Sequence, residues 1–202
     1  MIGEEFQDKY SSKMSKPCGL LYKKDGLTSS FYDEVISWLE RHDDDFFPVT
    51  NASGKSSDNS RRVLHYGYSY DYSSGSSSNR APKMPKMIRR VRRRILRNFP
   101  DLVDSKRYWN QCIINRYLPG QGIGAHIDVK SYGDHIVCFT LGSGREMEFT
   151  RDDDNYCLYT EPRSAYVMSG DSRYKWKHQM RLRKSDSGVS RSVCYSITFR
   201  HA

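Results

Sequence analysis

Asn115-Arg116-Tyr117-Leu118-Pro119-Gly120-Gln121-Gly122-Ile123-Gly124-Ala125-His126-Ile127-Asp128 is the stretch that decides the fold. It starts at the end of a β-rich run (Gln111 to Leu118), breaks at a Pro-Gly turn, and resumes with a histidine and an aspartate two residues apart. The same rhythm continues to the end of the chain. His135–Leu141, Glu146–Thr150, Tyr156–Thr160, Ala165–Ser169, Tyr174–His178 and Val193–Arg200 are short β-rich runs separated by Gly, Pro or Asp turns. Runs this short and this evenly spaced predict a β-sandwich or open barrel. Asp152-Asp153-Asp154 falls at a hairpin tip and reads as a solvated turn.

Upstream the pattern changes. Residues 1–18 read as a flexible leader, and Gly19 to Lys24 as a short strand. From Thr28 to His42, Phe31, Val35, Trp38 and Leu39 recur at helical spacing behind a Thr/Ser cap. Arg62 to Tyr72 alternates, with Leu64, Tyr66, Tyr68, Tyr70 and Tyr72 on one face of an expected strand. A Ser/Gly loop follows (Ser73 to Ser78), then a helix from Lys83 to Phe99 whose apolar stripe is Met84, Ile88, Val91, Ile95 and Phe99. The expected architecture is mainly β with an N-terminal α/β cover, in a single domain over residues 19–202.

Composition narrows the function classes. The 202 residues carry 33 Lys and Arg against 24 Asp and Glu, a net charge of +9. All of that excess lies between residues 80 and 100, where Arg80, Lys83, Lys86, Arg89, Arg90, Arg92, Arg93, Arg94 and Arg97 meet no acid. Three Trp, 15 Tyr and 8 Phe are enough aromatic residues to exclude wholesale disorder. No apolar run reaches the length of a membrane span, and the N-terminus lacks the apolar core of a secretory signal. Five widely spaced cysteines with no CxxC argue against a disulfide framework or zinc ribbon and for a reducing, intracellular setting. The sequon at Asn51-Ala52-Ser53 is then idle. Neither a P-loop nor a nucleophile elbow is present.

His126 and Asp128 point the same way in an extended chain, so an imidazole and a carboxylate converge. His178, 52 residues beyond His126, supplies a third ligand for a metal. Two His and one carboxylate leave coordination positions open, the arrangement that non-haem Fe(II) oxygenases use. Four motifs then stand together: Asn115-Arg116-Tyr117; Pro119-Gly120-Gln121-Gly122-Ile123-Gly124-Ala125; Arg173-Tyr174-Lys175-Trp176-Lys177-His178; and Ser196-Ile197-Thr198-Phe199-Arg200. In order and spacing they resemble the AlkB family of Fe(II)/2-oxoglutarate dioxygenases, and in motif most of all its tRNA-modifying branch. The resemblance runs from Arg61 to Arg200.

What the resemblance implies is specific. The β half (110–202) should be a double-stranded β-helix, or jelly roll, and residues 61–100 a substrate lid with a basic helix. His126, Asp128 and His178 should hold iron; Asn115 and Tyr117 should hydrogen-bond 2-oxoglutarate; Arg200 should grip a co-substrate oxygen near the metal, with Ser196 and Thr198 on its face. A guanidinium fork suits a carboxylate. The cofactors would be Fe(II), 2-oxoglutarate and O2, and the reaction hydroxylation or oxidative demethylation. One position departs from the family: Cys194 stands six residues before Arg200, where a second arginine would hold the distal carboxylate. Arg191 is near, but of opposite parity, and would need a bulge to reach in.

The substrate reading rests on charge and rings. His65, Tyr66 and Tyr68 can stack on a base, and Arg89, Arg90, Arg92, Arg93, Arg94 and Arg97 can meet phosphates. A base must leave its stack before it is oxidised, which is easiest in a loop or single strand. RNA, tRNA included, is therefore the expected partner of a protein expected to act as a monomer, with alkylated single-stranded DNA as the enzymatic alternative. A non-catalytic RNA binder with a degenerate co-substrate site, and a protein-directed oxygenase, are the readings of other classes.

Overall fold

The computed structural model describes residues 15–50, 60–72, 75, 79–104 and 109–202. Most of the leader, the sequon and most of the Ser73–Ser78 loop lie outside the described residues. Two antiparallel sheets face each other. The larger has seven strands in the order β1-β9-β6-β13-β4-β3-β2: β1 Leu20–Lys23, β2 Phe47–Pro48, β3 Arg62–Tyr66, β4 Gln111–Tyr117, β6 Ile136–Gly142, β9 Ala165–Met168 and β13 Cys194–Arg200. The smaller has four, β5-β10-β7-β8: β5 Ile123–His126, β7 Arg145–Arg151, β8 Asp154–Thr160 and β10 Lys177–Met180. A small hairpin, β11 (Ser185–Asp186) with β12 (Val189–Ser190), precedes β13. This is the mainly β, jelly-roll architecture.

Strand alternation gives the large sheet two different faces. On one, Ile114, Val137, Phe139, Leu141, Tyr195, Ile197 and Phe199 pack against helices. These are α1 (Ser29–Arg41), which buries Phe31, Val35, Trp38 and Leu39, and the pair α2 (Lys86–Arg92) and α3 (Arg94–Asn98), which bury Ile88, Val91 and Ile95. On the other face, Tyr117, Cys138, Tyr166 and Cys194 meet Met147, Phe149, Leu158 and Met180 of the small sheet. Burying side chains of this size contributes about 1.5–3 kcal/mol each, so both cores are needed.

Four expectations are corrected. The basic helix is two segments meeting at Arg93, and it starts only after Pro85, because the residue preceding a proline is pushed away from helical angles. The strand expected to run to Tyr72 ends at Tyr66, since Gly67 takes φ +80° and a Cβ there would lie 1.9 Å from the Asn110 carbonyl oxygen. Tyr174 belongs to a helical turn, α4 (Gly170–Tyr174), closed by a Ser169/Ser172 capping box; the strand begins at Lys177. The leader ends early, because the Pro17 and Cys18 carbonyls already accept hydrogen bonds from Leu20 and Ser172. The turn at 152–153 between β7 and β8 is as expected, with Asp152 at φ +50°.

Candidate active site

Sheet register assembles the site. β5 and β10 run antiparallel with His126 directly opposite His178, placing their ring centroids 4.2 Å apart. Asp128 follows two residues after His126, and one ligand atom from each of the three residues lies within 4.8 Å of the others. His126 Nδ1 lies 2.8 Å from the Gly124 carbonyl oxygen, which can only accept, so Nδ1 carries the proton and Nε2 keeps its lone pair. Burial drives the His178 imidazole down to about 3, and burial likewise lowers His126, so both rings are neutral ligands near pH 7. Burial would raise the Asp128 carboxyl, but Arg200, His178, His126 and Arg173 outweigh it and hold the carboxyl below its usual range. Asp128 Oδ1 accepts from Arg200 Nη2 at 2.8 Å, while Oδ2 is buried with no hydrogen-bond partner. A buried carboxylate oxygen so left is costly unless a cation meets it. The donor set, two imidazoles and a carboxylate, fits iron.

Arg173 holds the loop that carries Asp128. Its guanidinium donates to the carbonyls of Asp128 (2.9 Å) and Val129 (2.6 Å) from a fully buried position. It stands inside the Arg-Tyr-x-Trp-x-His motif, yet only its position, not its role, was readable there.

The expected co-substrate residues fall on one face of the large sheet. β4 and β13 pair Tyr117 with Cys194, Asn115 with Ser196, and Gln111 with Arg200. Arg200 is buried, and its Nε and Nη1 have no hydrogen-bond partner, so it keeps unmet donors beside the cleft it lines. Asn115 Oδ1 accepts from Arg61 Nε at 2.9 Å, which leaves its amide nitrogen as the end that can donate to a ligand. Ser196 and Thr198 hydroxyls lie 3.2 Å apart and share Cys138 Sγ, so they are tied to each other. Tyr117 lies deeper, within the core between the sheets. Arg191 does not reach in. Its Nε and Nη2 grip Asp186 at 2.7 Å each, and Nη1 meets the Arg181 and Arg183 carbonyls, so the side chain is consumed in fastening the β11–β12 hairpin.

A cleft of about 330 Å³ opens onto His126, Asp128 and Arg200. Its outer wall is Arg61, Tyr70, Tyr72 and Tyr132, four residues that motif reading did not select. The residues that it did select are placed differently. His65 is buried beneath this wall, accepting from the Tyr70 amide at 3.3 Å, and burial lowers its imidazole to about 4. Tyr66 packs on the helical core, and Tyr68 lies under the Arg80 guanidinium, 4.6 Å from ring centroid to Cζ. The turn at Gly67 explains this, because beyond it the chain folds back and delivers Tyr70 and Tyr72, an edge-to-face pair 4.9 Å apart, to the cleft.

The basic helix stands on the opposite face of the large sheet from the cleft. Ile113 and Asn115 line the cleft, whereas Cys112 and Ile114 pack under the helices. Several arginines are occupied there. Arg90 pairs with Glu34, Arg92 donates to the Trp109 carbonyl at 2.9 Å, Arg89 to that of Met84 at 3.3 Å, and Arg94 covers the Phe31 ring. Arg93 and Arg97 are exposed, in line with Lys86 and Arg89 at helical spacing. Amphipathicity marks which side of a helix is buried, not which sheet face receives it.

The comparisons with known proteins agree with this geometry. The family model of the 2OG-Fe(II) oxygenase superfamily matches residues 42–200. A tRNA (carboxymethyluridine(34)-5-O)-methyltransferase, ALKBH8 of Macaca fascicularis, is 32% identical over 200 residues, covering 91% of this chain. The chain spans only 27% of that relative's length. The uncharacterized protein L905 of Acanthamoeba polyphaga mimivirus is 32% identical over 153 residues, 71% of each chain. Among solved structures, OsALKBH1 superposes with a TM-score of 0.68 at 15% identity, covering 94% of this chain and all of its own. A prolyl hydroxylase from Trichoplax adhaerens superposes at 0.62 and 13%, covering 91% and 83%; at these identities the likeness is one of fold. Among the described residues no helix is long and apolar enough to cross a membrane.

Proposed function

The chain belongs to the 2OG-Fe(II) oxygenase superfamily, and from that premise we propose that it oxidises a modified nucleotide in RNA, a tRNA nucleotide ahead of alkylated DNA. As an enzyme of this superfamily it uses Fe(II), 2-oxoglutarate and O2, which together supply oxidation of a substrate C–H bond while 2-oxoglutarate becomes succinate and CO2. His126, Asp128 and His178 would hold the metal, and the unmet donors of Arg200 with the Asn115 amide would orient the co-substrate. Arg173 would keep the Asp128 loop still, and the buried setting of Asp128 and His178 would keep water from the reaction.

The observation that carries the substrate reading is the cleft wall. Tyr70 and Tyr72 offer ring faces and edges to a base drawn out of its stack, and Arg61 brings a cation beside them. The exposed stripe Lys86, Arg89, Arg93 and Arg97 faces away from the cleft, so one partner touching both must be large and folded. A tRNA meets that condition better than a short single strand. The ALKBH8 relative, named for a tRNA uridine at position 34, supports an anticodon nucleotide as the target. In this reading residues 61–100 form the substrate lid and 110–202 the catalytic core of one domain, active as a monomer inside the cell.

Nucleoside mass spectrometry after incubation of the Fe(II)-loaded chain with mixed tRNA and alkylated single-stranded DNA tests this. The expected result is a tRNA nucleoside that gains one oxygen or loses a methyl group. Turnover confined to the DNA adduct would replace RNA with DNA as the substrate. No change in either pool, with metal bound, would reject the nucleotide reading.

A further inference from the structure

2-Oxoglutarate carries two carboxylates, and a group that brings one to the metal and Arg200 must bury the other further into the jelly roll. A buried carboxylate needs a cation. Cys194 cannot supply it, and burial holds its thiol up at about 12, so it is neutral as well. The other cations near the path are engaged or misplaced. Arg191 is clamped on Asp186, Arg173 holds two carbonyls of the Asp128 loop, and Arg61 stands in the cleft wall on Asn115.

Arg145 is the remaining candidate. It is fully buried, at 0% exposure, at the start of β7, and shares strand parity with Met147 and Phe149, which point between the two sheets. The β6–β7 turn seats it against the start of β13. Gly142 pairs with Cys194, the Ser143 amide donates to the Val193 carbonyl at 2.8 Å, and Arg145 Nη2 donates to the Ser192 carbonyl. Its Nη1 meets only neutral oxygens, Ser143 Oγ at 2.8 Å and the Gly144 carbonyl at 2.9 Å. Among the described residues no carboxylate lies within ion-pairing distance of it, and its Nε has no hydrogen-bond partner. A buried guanidinium that hydrogen-bonds only neutral oxygens and leaves its Nε unmet is costly to keep unless an anion joins it. Turn-capping alone would not call for a charge.

We propose that Arg145, reaching from the small sheet, grips the distal carboxylate of 2-oxoglutarate in place of an arginine at position 194. The positive charge would then come from across the barrel. Cys194 and Tyr117 stand opposite each other on β13 and β4, where the distal carboxylate would arrive. This assignment rests on the metal-site reading of His126, Asp128 and His178.

The test is calorimetric titration of the Zn(II)-loaded chain with 2-oxoglutarate and with 2-oxopentanoate, which has the same carbon chain but ends in a methyl group. The wild type should prefer the dicarboxylate by roughly 30-fold or more, the scale of a buried charge pair. R145M should lose that preference while still binding 2-oxopentanoate, and R145M/C194R should regain most of it, an exchange that a merely structural arginine would not permit. R145M that keeps the preference overturns the proposal. If R145M does not fold, the wild-type guanidinium NMR signal of Arg145, assigned through R145K, decides. It should move with 2-oxoglutarate and not with 2-oxopentanoate, and a signal unmoved by both overturns the proposal. Wild type that binds the two acids equally overturns this assignment alone, and wild type that binds neither overturns it together with the metal-site reading.

Discussion

The two faces of the seven-stranded sheet are built from the same strands and do opposite things. On β13, Ile197 and Phe199 point outward into an apolar core under three helices, whereas Ser196, Thr198 and Arg200 share the inner face, where Arg200 lines the cleft. On the outer face the partly buried Arg116 guanidinium is paired with Asp43 at 2.7 Å. The space in front of the inner face is where Asp128 Oδ2, two nitrogens of Arg200 and Nε of Arg145 are left without hydrogen-bond partners. Orphaned polar atoms in a buried setting are a cost that a fold carries where something is to bind. Behind the sheet lies a packed apolar core, whereas in front of it a second core shares the space with the site, so substitutions behind the sheet and at the site should separate.

The largest effect expected is on the inner side. H178A removes a metal ligand and should reduce succinate formation by at least roughly 10³-fold, with the circular dichroism spectrum unchanged. Residual turnover near wild type would mean that the three residues are not the metal site. On the outer side, I95A leaves a cavity beneath the basic helix and should cost about 2–5 kcal/mol of unfolding free energy. Its turnover per folded molecule should stay within about twofold of wild type, since nothing between Ile95 and the cleft need move; a fall in turnover as large as that of H178A would erase the distinction between the faces.

The smaller effects sharpen the comparison. Y72A should weaken RNA binding by about tenfold, as expected for one lost stacking partner. Binding of 2-oxoglutarate measured without RNA should be unaffected. The triple substitution R89Q/R93Q/R97Q should weaken RNA binding by less than that at moderate salt and flatten the log–log salt dependence by about 2, because only phosphate contacts are lost. Its activity on an isolated nucleoside should not change. A salt slope that does not move would remove the rear helix from the RNA-binding surface.

How much of this was legible beforehand follows from what periodicity can carry. Alternation along Cys194–Arg200 and Gln111–Tyr117 specifies which residues share a face, and the i, i+2 spacing of His126 and Asp128 makes them converge. The pairing of His126 with His178 depends on strand register, which no local pattern states; the motif resemblance supplied it. Gly67 shows the limit of alternation, since one residue at φ +80° turned an expected eleven-residue strand into β3 plus a loop and brought Tyr70 and Tyr72, rather than Tyr66 and Tyr68, to the cleft. Arg145 was illegible for a different reason. A charged residue beginning a β-rich run is usually solvent-facing, and only the opposing sheet reveals that it points inward. The Lys/Arg helix misled about position because its eight bases give a sign and a density, but not the face of the sheet on which it rests.

The most direct test of the central claim is coupled stoichiometry. The Fe(II)-loaded chain is given 2-oxoglutarate, O2 and tRNA, and succinate is counted against oxidised nucleoside. The account predicts succinate formation that depends on tRNA, with one oxidised nucleoside for each succinate. Metal and tRNA both bound, with no succinate above the level seen without RNA, would contradict it.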